Sequence, residues 1–181
     1  MAVLLNEQSS LRFRIDLLGR DSPGIVSPAS LFFEAAVEVY RHGADGGEPH
    51  FHPTVVLQQK ALLDVDLLTF LERGEALARG EARECAWEPT NAPHFGLRLV
   101  KPELDEAGDP APDGLYLVEI GIDLAGIEEP VQGAAPAYGV DLALFRFVTA
   151  ERPLAQFLAG LAEAYDRFPT DPSLVAKGSA D

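Results

Sequence analysis

Cysteine, basic residues and long apolar runs are all scarce in this chain of 181 residues. The single cysteine, Cys85, excludes an internal disulfide framework and favours a reducing compartment. The first residues lack the basic and apolar regions of a signal peptide, and no apolar run approaches the roughly 18 residues that cross a bilayer. We therefore expect a cytoplasmic protein with no membrane partner.

Basic side chains are outnumbered by acidic ones, 14 against 29, which gives a formal net charge of −15. The segment 101–141 is the extreme case, with ten carboxylates and a single base, Lys101. A negative charge of this density repels nucleic acid and anionic membranes, and it attracts basic proteins. The composition thus predicts a basic protein partner and no nucleic-acid partner.

The common catalytic and cofactor motifs are also missing. The chain contains no HExxH, CxxC, GxxxxGK[ST] or GxGxxG pattern, so the sequence predicts no catalytic residue and no cofactor and favours a non-enzymatic protein. Cys85 alternates with Arg83 and Trp87 on a predicted strand, which indicates a small buried core residue rather than a nucleophile.

A metal site is the alternative hypothesis. His50 and His52 lie two residues apart, and on a strand this spacing places both imidazoles on one face, within reach of one ion. A third ligand would have to come from His42, His94 or Glu48.

Alternation of apolar and polar residues predicts strands along most of the chain. The predicted strands are 11–17, 31–41, 54–60, 83–88, 95–99, 116–124 and 140–148. The last of these is apolar on both faces, which is typical of a central strand.

Helical periodicity predicts two helices. One spans about 64–80, with Asp64 or Asp66 as its N-cap and Gly80 as its C-terminal stop, and the other spans about 150–168, capped by Thr149. The predicted fold is α+β: a mostly antiparallel sheet of about six to seven strands with two helices packed on it. Residues 1–169 are expected to form a single domain, and 170–181 a flexible tail.

Four stretches carry a family resemblance: LRFRI at 11–15, DLLTFL at 66–71, EP at 88–89 with FGLRL at 95–99, and the apolar stripe of 153–169. Together they resemble the bacterial WapI-like immunity proteins. The resemblance implies an intracellular inhibitor of a toxin, often a basic nuclease. It carries no individual site residue onto this chain.

The partner-binding residues predicted for such an inhibitor are acidic side chains in two loops: Glu103, Asp105, Glu106, Asp109, Asp113, Glu128 and Glu129. A strand of about ten residues separates the loops by roughly 30 Å, so a partner would contact one loop or the outer face of the strand. A structural homo-oligomer joined through exposed strand edges is a further alternative.

Overall fold

The computed structural model describes residues 1–21, 30–41, 50–87, 95–104, 108–123 and 142–168. These residues form eight strands and two helices. In chain order they are β1 (Ala2–Leu5), β2 (Leu11–Asp21), β3 (Ser30–Arg41), β4 (His50–Leu63), α1 (Asp64–Ala78), β5 (Glu84–Trp87), β6 (Phe95–Val100), β7 (Leu115–Asp123), β8 (Leu142–Ala150) and α2 (Glu151–Asp166).

The predicted α+β fold is confirmed, with its antiparallel strands and its two helices. The described strands form two sheets rather than one: sheet A has the order β1-β2-β3-β4, and sheet B has the order β5-β6-β7-β8. Each sheet is a meander of consecutive antiparallel strands, and α1 separates the two meanders along the chain. The alternation of apolar and polar residues does not predict strand β1, because its four residues are too few to show a period.

Neither predicted N-cap forms. Leu63 is the N-cap of α1, whereas Asp64 is its first residue and pairs with Arg20 on β2. Ala150 is the N-cap of α2, and the hydroxyl of Thr149 instead donates to the carbonyl of Leu5, 2.6 Å away. Tertiary partners have replaced local capping at both sites.

Gly80 ends α1 as predicted. The helix stops at Ala78, and Gly80 has a φ of +75°, a conformation that glycine adopts without strain.

Strand β8 differs from its prediction as a central strand. Among the described strands it pairs only with β7, at the end of sheet B. Its outer face is also largely uncovered, with Leu144 53% and Val148 37% exposed.

The inward side chains of both sheets and the apolar faces of both helices form one hydrophobic cluster. Phe70 of α1 stacks on Trp87 of β5, with ring centroids 4.9 Å apart. The helices meet at Gly74, where an added Cβ would lie 2.7 Å from Cδ2 of Leu158 on α2. Within the described residues, neither helix has the length and apolar character needed to span a membrane.

Two connections join the halves of the fold at residues remote in sequence. Besides the bond from Thr149 to Leu5, the backbone N–H of Glu7 donates to the carbonyl of Val148, 2.8 Å away. The turn after β1 is thereby attached to β8.

A further group of contacts between residues remote in sequence centres on Arg20, whose side chain is 10% exposed. Besides its ion pair with Asp64, it donates from Nε to the carbonyl of Phe168 (2.6 Å) and lies 5.3 Å from the centre of the Tyr165 ring. Burial lowers the pKa of Arg20, but its hydrogen bonds to Asp64 and Tyr165 outweigh this effect and raise the pKa overall.

Candidate functional site

Three of the seven predicted acidic residues, Glu103, Asp109 and Asp113, lie in the described part of the chain. Glu103 is exposed and forms an ion pair with Arg83, and Asp109 and Asp113 are exposed in the same connection between β6 and β7. A β-bridge from Leu104 to Pro110 closes part of this connection. The other four predicted residues, Asp105, Glu106, Glu128 and Glu129, lie outside the described residues.

The histidine pair is described in part. His50 and His52 both lie on β4, in register with Arg41 and Val39, and the His52 side chain is half-buried. The side chain of His50 and the whole of His42, His94 and Glu48 lie outside the described part of the chain. Within that part, no three histidine, cysteine or acidic side chains are grouped as a metal site requires.

Cys85 is a core residue, as its strand pattern predicts. Its side chain is 1% exposed, and Sγ lies 3.5 Å from the carbonyl oxygen of Phe70. Loss of solvent raises the pKa of the thiol to about 11, which the nearby Arg73 only partly opposes. A neutral buried thiol is a poor nucleophile.

The outer face of sheet A carries the densest set of polar contacts that the structure describes. Arg14 on β2 donates to Glu34 (2.7 Å) and to Glu38 (3.3 Å) on β3, and it also pairs with Asp16. Arg12 forms a second ion pair with Glu38, whose side chain is only 8% exposed. Burial lowers the pKa of Arg14, but hydrogen bonds to Glu34 and Asp16 and the charge of Glu38 raise it overall.

The described ion pairs of this face balance in charge. Their positive groups are Arg12, Arg14 and the N-terminal ammonium, which lies 3.6 Å from Asp16. The described carboxylates that they meet are also three, those of Asp16, Glu34 and Glu38. These paired groups therefore add nothing to the net negative charge of the chain.

Two aromatic side chains extend the face at one end. The guanidinium carbon of Arg12 lies 4.1 Å above the centre of the Phe51 ring, and the Tyr40 ring meets Phe51 edge-on with centroids 5.3 Å apart. The strand register brings them together, since Tyr40 on β3 is directly opposite Phe51 on β4. We call Arg12, Tyr40 and Phe51 the Arg12 platform.

The register of the strands builds the platform from residues that are distant in sequence. Arg12 is paired with Glu38, two residues before Tyr40. The alternation in 11–17 correctly predicts that Arg12 and Arg14 point outward, but it assigns them no function. The sequence did contain a signal for the platform. Arg12 and Arg14 point outward on β2, and outward aromatic residues follow on β3 and β4.

The outer face of sheet B carries a second group of ion pairs. Glu119 on β7, 13% exposed, accepts from Arg98 on β6 (2.9 Å) and Arg146 on β8 (2.7 Å). Arg98 also donates to Glu84 on β5 at 2.6 Å, and its hydrogen bonds to Glu84 and Glu119 raise its pKa.

Comparison with known proteins gives structural matches only. No protein-family model and no curated protein matches the chain. Crystal structures of trypanosome MRP1/MRP2 superpose with a TM-score of 0.46 and 11% identity, covering 91% of this chain and 81% of that one. A guide-RNA-binding protein complex bound to a guide RNA superposes with a TM-score of 0.43 and 7% identity, covering 85% of this chain and 89% of that one.

These matches contradict our prediction of an acidic, immunity-type inhibitor with a basic protein partner and no nucleic-acid partner. That prediction is withdrawn. The physical reason is that net charge describes the whole chain, whereas recognition depends on a local face, and sheet A presents a balanced one. At TM-scores below 0.5 the similarity itself assigns no ligand to this chain.

Proposed function

We propose that this protein binds single-stranded nucleic acid through the bases, using the Arg12 platform on sheet A. The observation that supports the proposal is the guanidinium of Arg12 lying 4.1 Å above the Phe51 ring, with Tyr40 edge-on beside it. Unpaired bases stack on aromatic rings and on arginine guanidinium planes, and strand-borne aromatics are a common form of such a surface.

The platform is held in place before any ligand arrives. Phe51 supports one face of the Arg12 guanidinium, and Glu38 accepts a hydrogen bond from its Nε. Glu38 is fixed in turn by Arg14. Ordering a flexible arginine normally opposes binding by about 0.5–1.5 kcal/mol, and contacts already made in the free protein reduce that term.

The charge of the chain sets the expected mode of binding. Arg12 and its neighbour Arg14 both form ion pairs with Glu38, and the chain as a whole has a net charge of −15. Phosphate contacts and counterion release, which dominate binding by basic proteins, therefore contribute little here. We expect base stacking to provide the affinity and long-range repulsion to oppose it.

The first test is a titration of fluorescently labelled oligoadenylate and oligodeoxyadenylate, with a duplex as control, measured by anisotropy. Phe51→Leu removes the ring and keeps an apolar side chain, and a loss of about 1–3 kcal/mol per stacked base predicts weakening of about 5- to 150-fold. Phe32→Leu is the matched control, because Phe32 is an exposed phenylalanine on β3 of sheet A and is not part of the platform. Equal affinity of wild type and Phe51→Leu contradicts the proposal.

The second test is the dependence on salt. Raising the salt concentration from 50 to 200 mM weakens basic nucleic-acid-binding proteins by about 10³- to 10⁵-fold when they contact 6–10 phosphates. For this chain we expect unchanged or tighter binding, because added salt screens the repulsion between two polyanions. A steep loss of affinity with salt contradicts binding through the bases.

A further inference from the structure

Glu38 is the least exposed of the three carboxylates that form the described ion pairs of sheet A. Its side chain is 8% exposed, against 24% for Asp16 and 27% for Glu34. It accepts a hydrogen bond from Nε of Arg12 through Oε2 and one from Nε of Arg14 through Oε1. One enclosed carboxylate therefore holds two arginines.

The strand register places Glu38 beside the Arg12 platform. It is opposite Arg12 on β2 and opposite the exposed Pro53 on β4. It also lies two residues before Tyr40, on the same side of β3. A ligand that reaches the platform therefore comes close to the charge of Glu38.

The two arginines depend on Glu38 to different degrees. Arg14 also forms ion pairs with Asp16 and Glu34. Within the described part of the chain, Arg12 forms an ion pair with Glu38 alone. Removal of this one carboxylate charge would therefore leave an unbalanced cation at the platform.

The charge of Glu38 acts differently on the two parts of a nucleic acid. A phosphate about 4 Å from the Arg12 guanidinium would lie roughly 7 Å from the carboxylate, which cancels about half of the attraction, because Coulomb energy falls inversely with distance. A stacked base carries no net charge, so the same carboxylate opposes it little. A duplex keeps its bases stacked on each other and offers mainly phosphates to a flat protein surface.

We infer that Glu38 is a positioning residue that also determines specificity: it fixes Arg12 for stacking, and its charge excludes the phosphate backbone and with it double-stranded nucleic acid. The inference rests on the proposed function, because it states which ligand the Arg12 platform rejects. A charge placed against the wrong ligand is a general means of obtaining specificity.

The experiment compares Glu38→Gln with the wild type in anisotropy titrations of a labelled oligodeoxyadenylate and of a duplex. We expect the variant to bind the duplex at least about tenfold more tightly than the wild type at low salt, the lower end for a hydrogen bond to a charged group. One new phosphate contact gives a slope of about −0.9 for log affinity against log salt, so the duplex affinity of the variant should fall about threefold between 50 and 200 mM salt. A purely structural role of Glu38 would not produce this salt dependence.

Two further variants separate the local charge from other effects. Glu75→Gln is the matched control, because it removes the same charge from α1, where Glu75 is 65% exposed, and it should leave duplex binding unchanged. Pro53→Lys adds a cation opposite Glu38 and removes neither of its ion pairs, so it should produce the same duplex binding and salt dependence. The emission of Trp87, which is 1% exposed, verifies that each variant is folded.

The outcomes separate the two proposals. If Glu38→Gln and Pro53→Lys bind the duplex no better than the wild type, the inference is wrong, and single-strand binding by the wild type leaves the proposed function intact. An equal gain in Glu75→Gln also overturns the inference, because the effect then belongs to the net charge of the chain. If the wild type binds no single strand, the proposed function is wrong, and a gain of duplex binding in Glu38→Gln would still show that Glu38 excludes phosphate. Binding of neither ligand by any of these proteins overturns both proposals.

Discussion

The contact between the two helices makes a prediction whose size follows from the structure. An added Cβ at Gly74 of α1 would lie 2.7 Å from Cδ2 and 3.3 Å from Cδ1 of Leu158 on α2. Replacing glycine by alanine inside a helix stabilises it by about 1 kcal/mol. Here Leu158 must move aside, and an off-rotamer side chain costs about 0.5–1.5 kcal/mol. Gly74→Ala alone should therefore change the free energy of unfolding by little.

The stabilisation that Gly74→Ala gives to helix α1 should appear when the Leu158 side chain is shortened. Leu158→Ala is expected to lower the free energy of unfolding by about 2–5 kcal/mol, because Leu158 is buried. In that background, the methyl group of Gly74→Ala meets no leucine and fills part of the cavity, so its full helical gain of about 1 kcal/mol is expected. The double-mutant cycle should give a favourable coupling of about 0.5–1.5 kcal/mol, within the range for contacting residues.

Urea unfolding followed by Trp87 fluorescence measures this cycle, since Trp87 is the single tryptophan and is 1% exposed. Gly160→Ala is the control for helix propensity: its added Cβ would lie 3.6 Å from Cα of Ala2, an ordinary contact, so it should stabilise the protein on its own. A coupling below about 0.3 kcal/mol would show that Leu158 and Gly74 do not restrict each other.

Two further predictions concern groups with little exposure to solvent. Asp64→Ala leaves Arg20, 10% exposed, without its carboxylate partner, so the free energy of unfolding should fall by about 3 kcal/mol, and a urea-melt loss under about 1 kcal/mol contradicts a stabilising ion pair. Cys85 has its pKa raised from 9.0 to about 11, so the folded state favours the neutral thiol. Its contribution is complete below pH 9 and declines as the pH rises towards 11. The stability difference between wild type and Cys85→Ala should shrink over that range, and a constant difference contradicts the raised pKa.

The sequence predicts the secondary structure well where periodicity is long. Helix α2 has an unbroken apolar pattern and appears close to its predicted bounds, and β2 begins at Leu11 as predicted but runs four residues beyond its predicted end. The division into two sheets is not encoded in any one segment, since it depends on which strands pair. The apolar pattern of β8 misled for the same reason: residues such as Leu144 are exposed, although their composition is that of a covered strand.

The candidate site is less predictable than the fold. Outward positions such as Arg12 follow from alternation, but its pairing with Glu38 requires the exact register of β2 on β3. A one-residue slip would place every side chain on the opposite face. The prediction from charge failed because it averaged over the chain, whereas the carboxylates of sheet A are paired with arginines.

The bonds from Thr149 to Leu5 and from Glu7 to Val148 have a consequence for how the chain reaches this structure during synthesis. Strand β1 is synthesised before β8, and the groups that hold its end follow more than 140 residues later. Closing such long loops is entropically slow. Strand β1 can pair with β2 early, but the turn after it must wait for β8, and a nascent chain that stops before β8 should leave this turn unattached and accessible to chaperones.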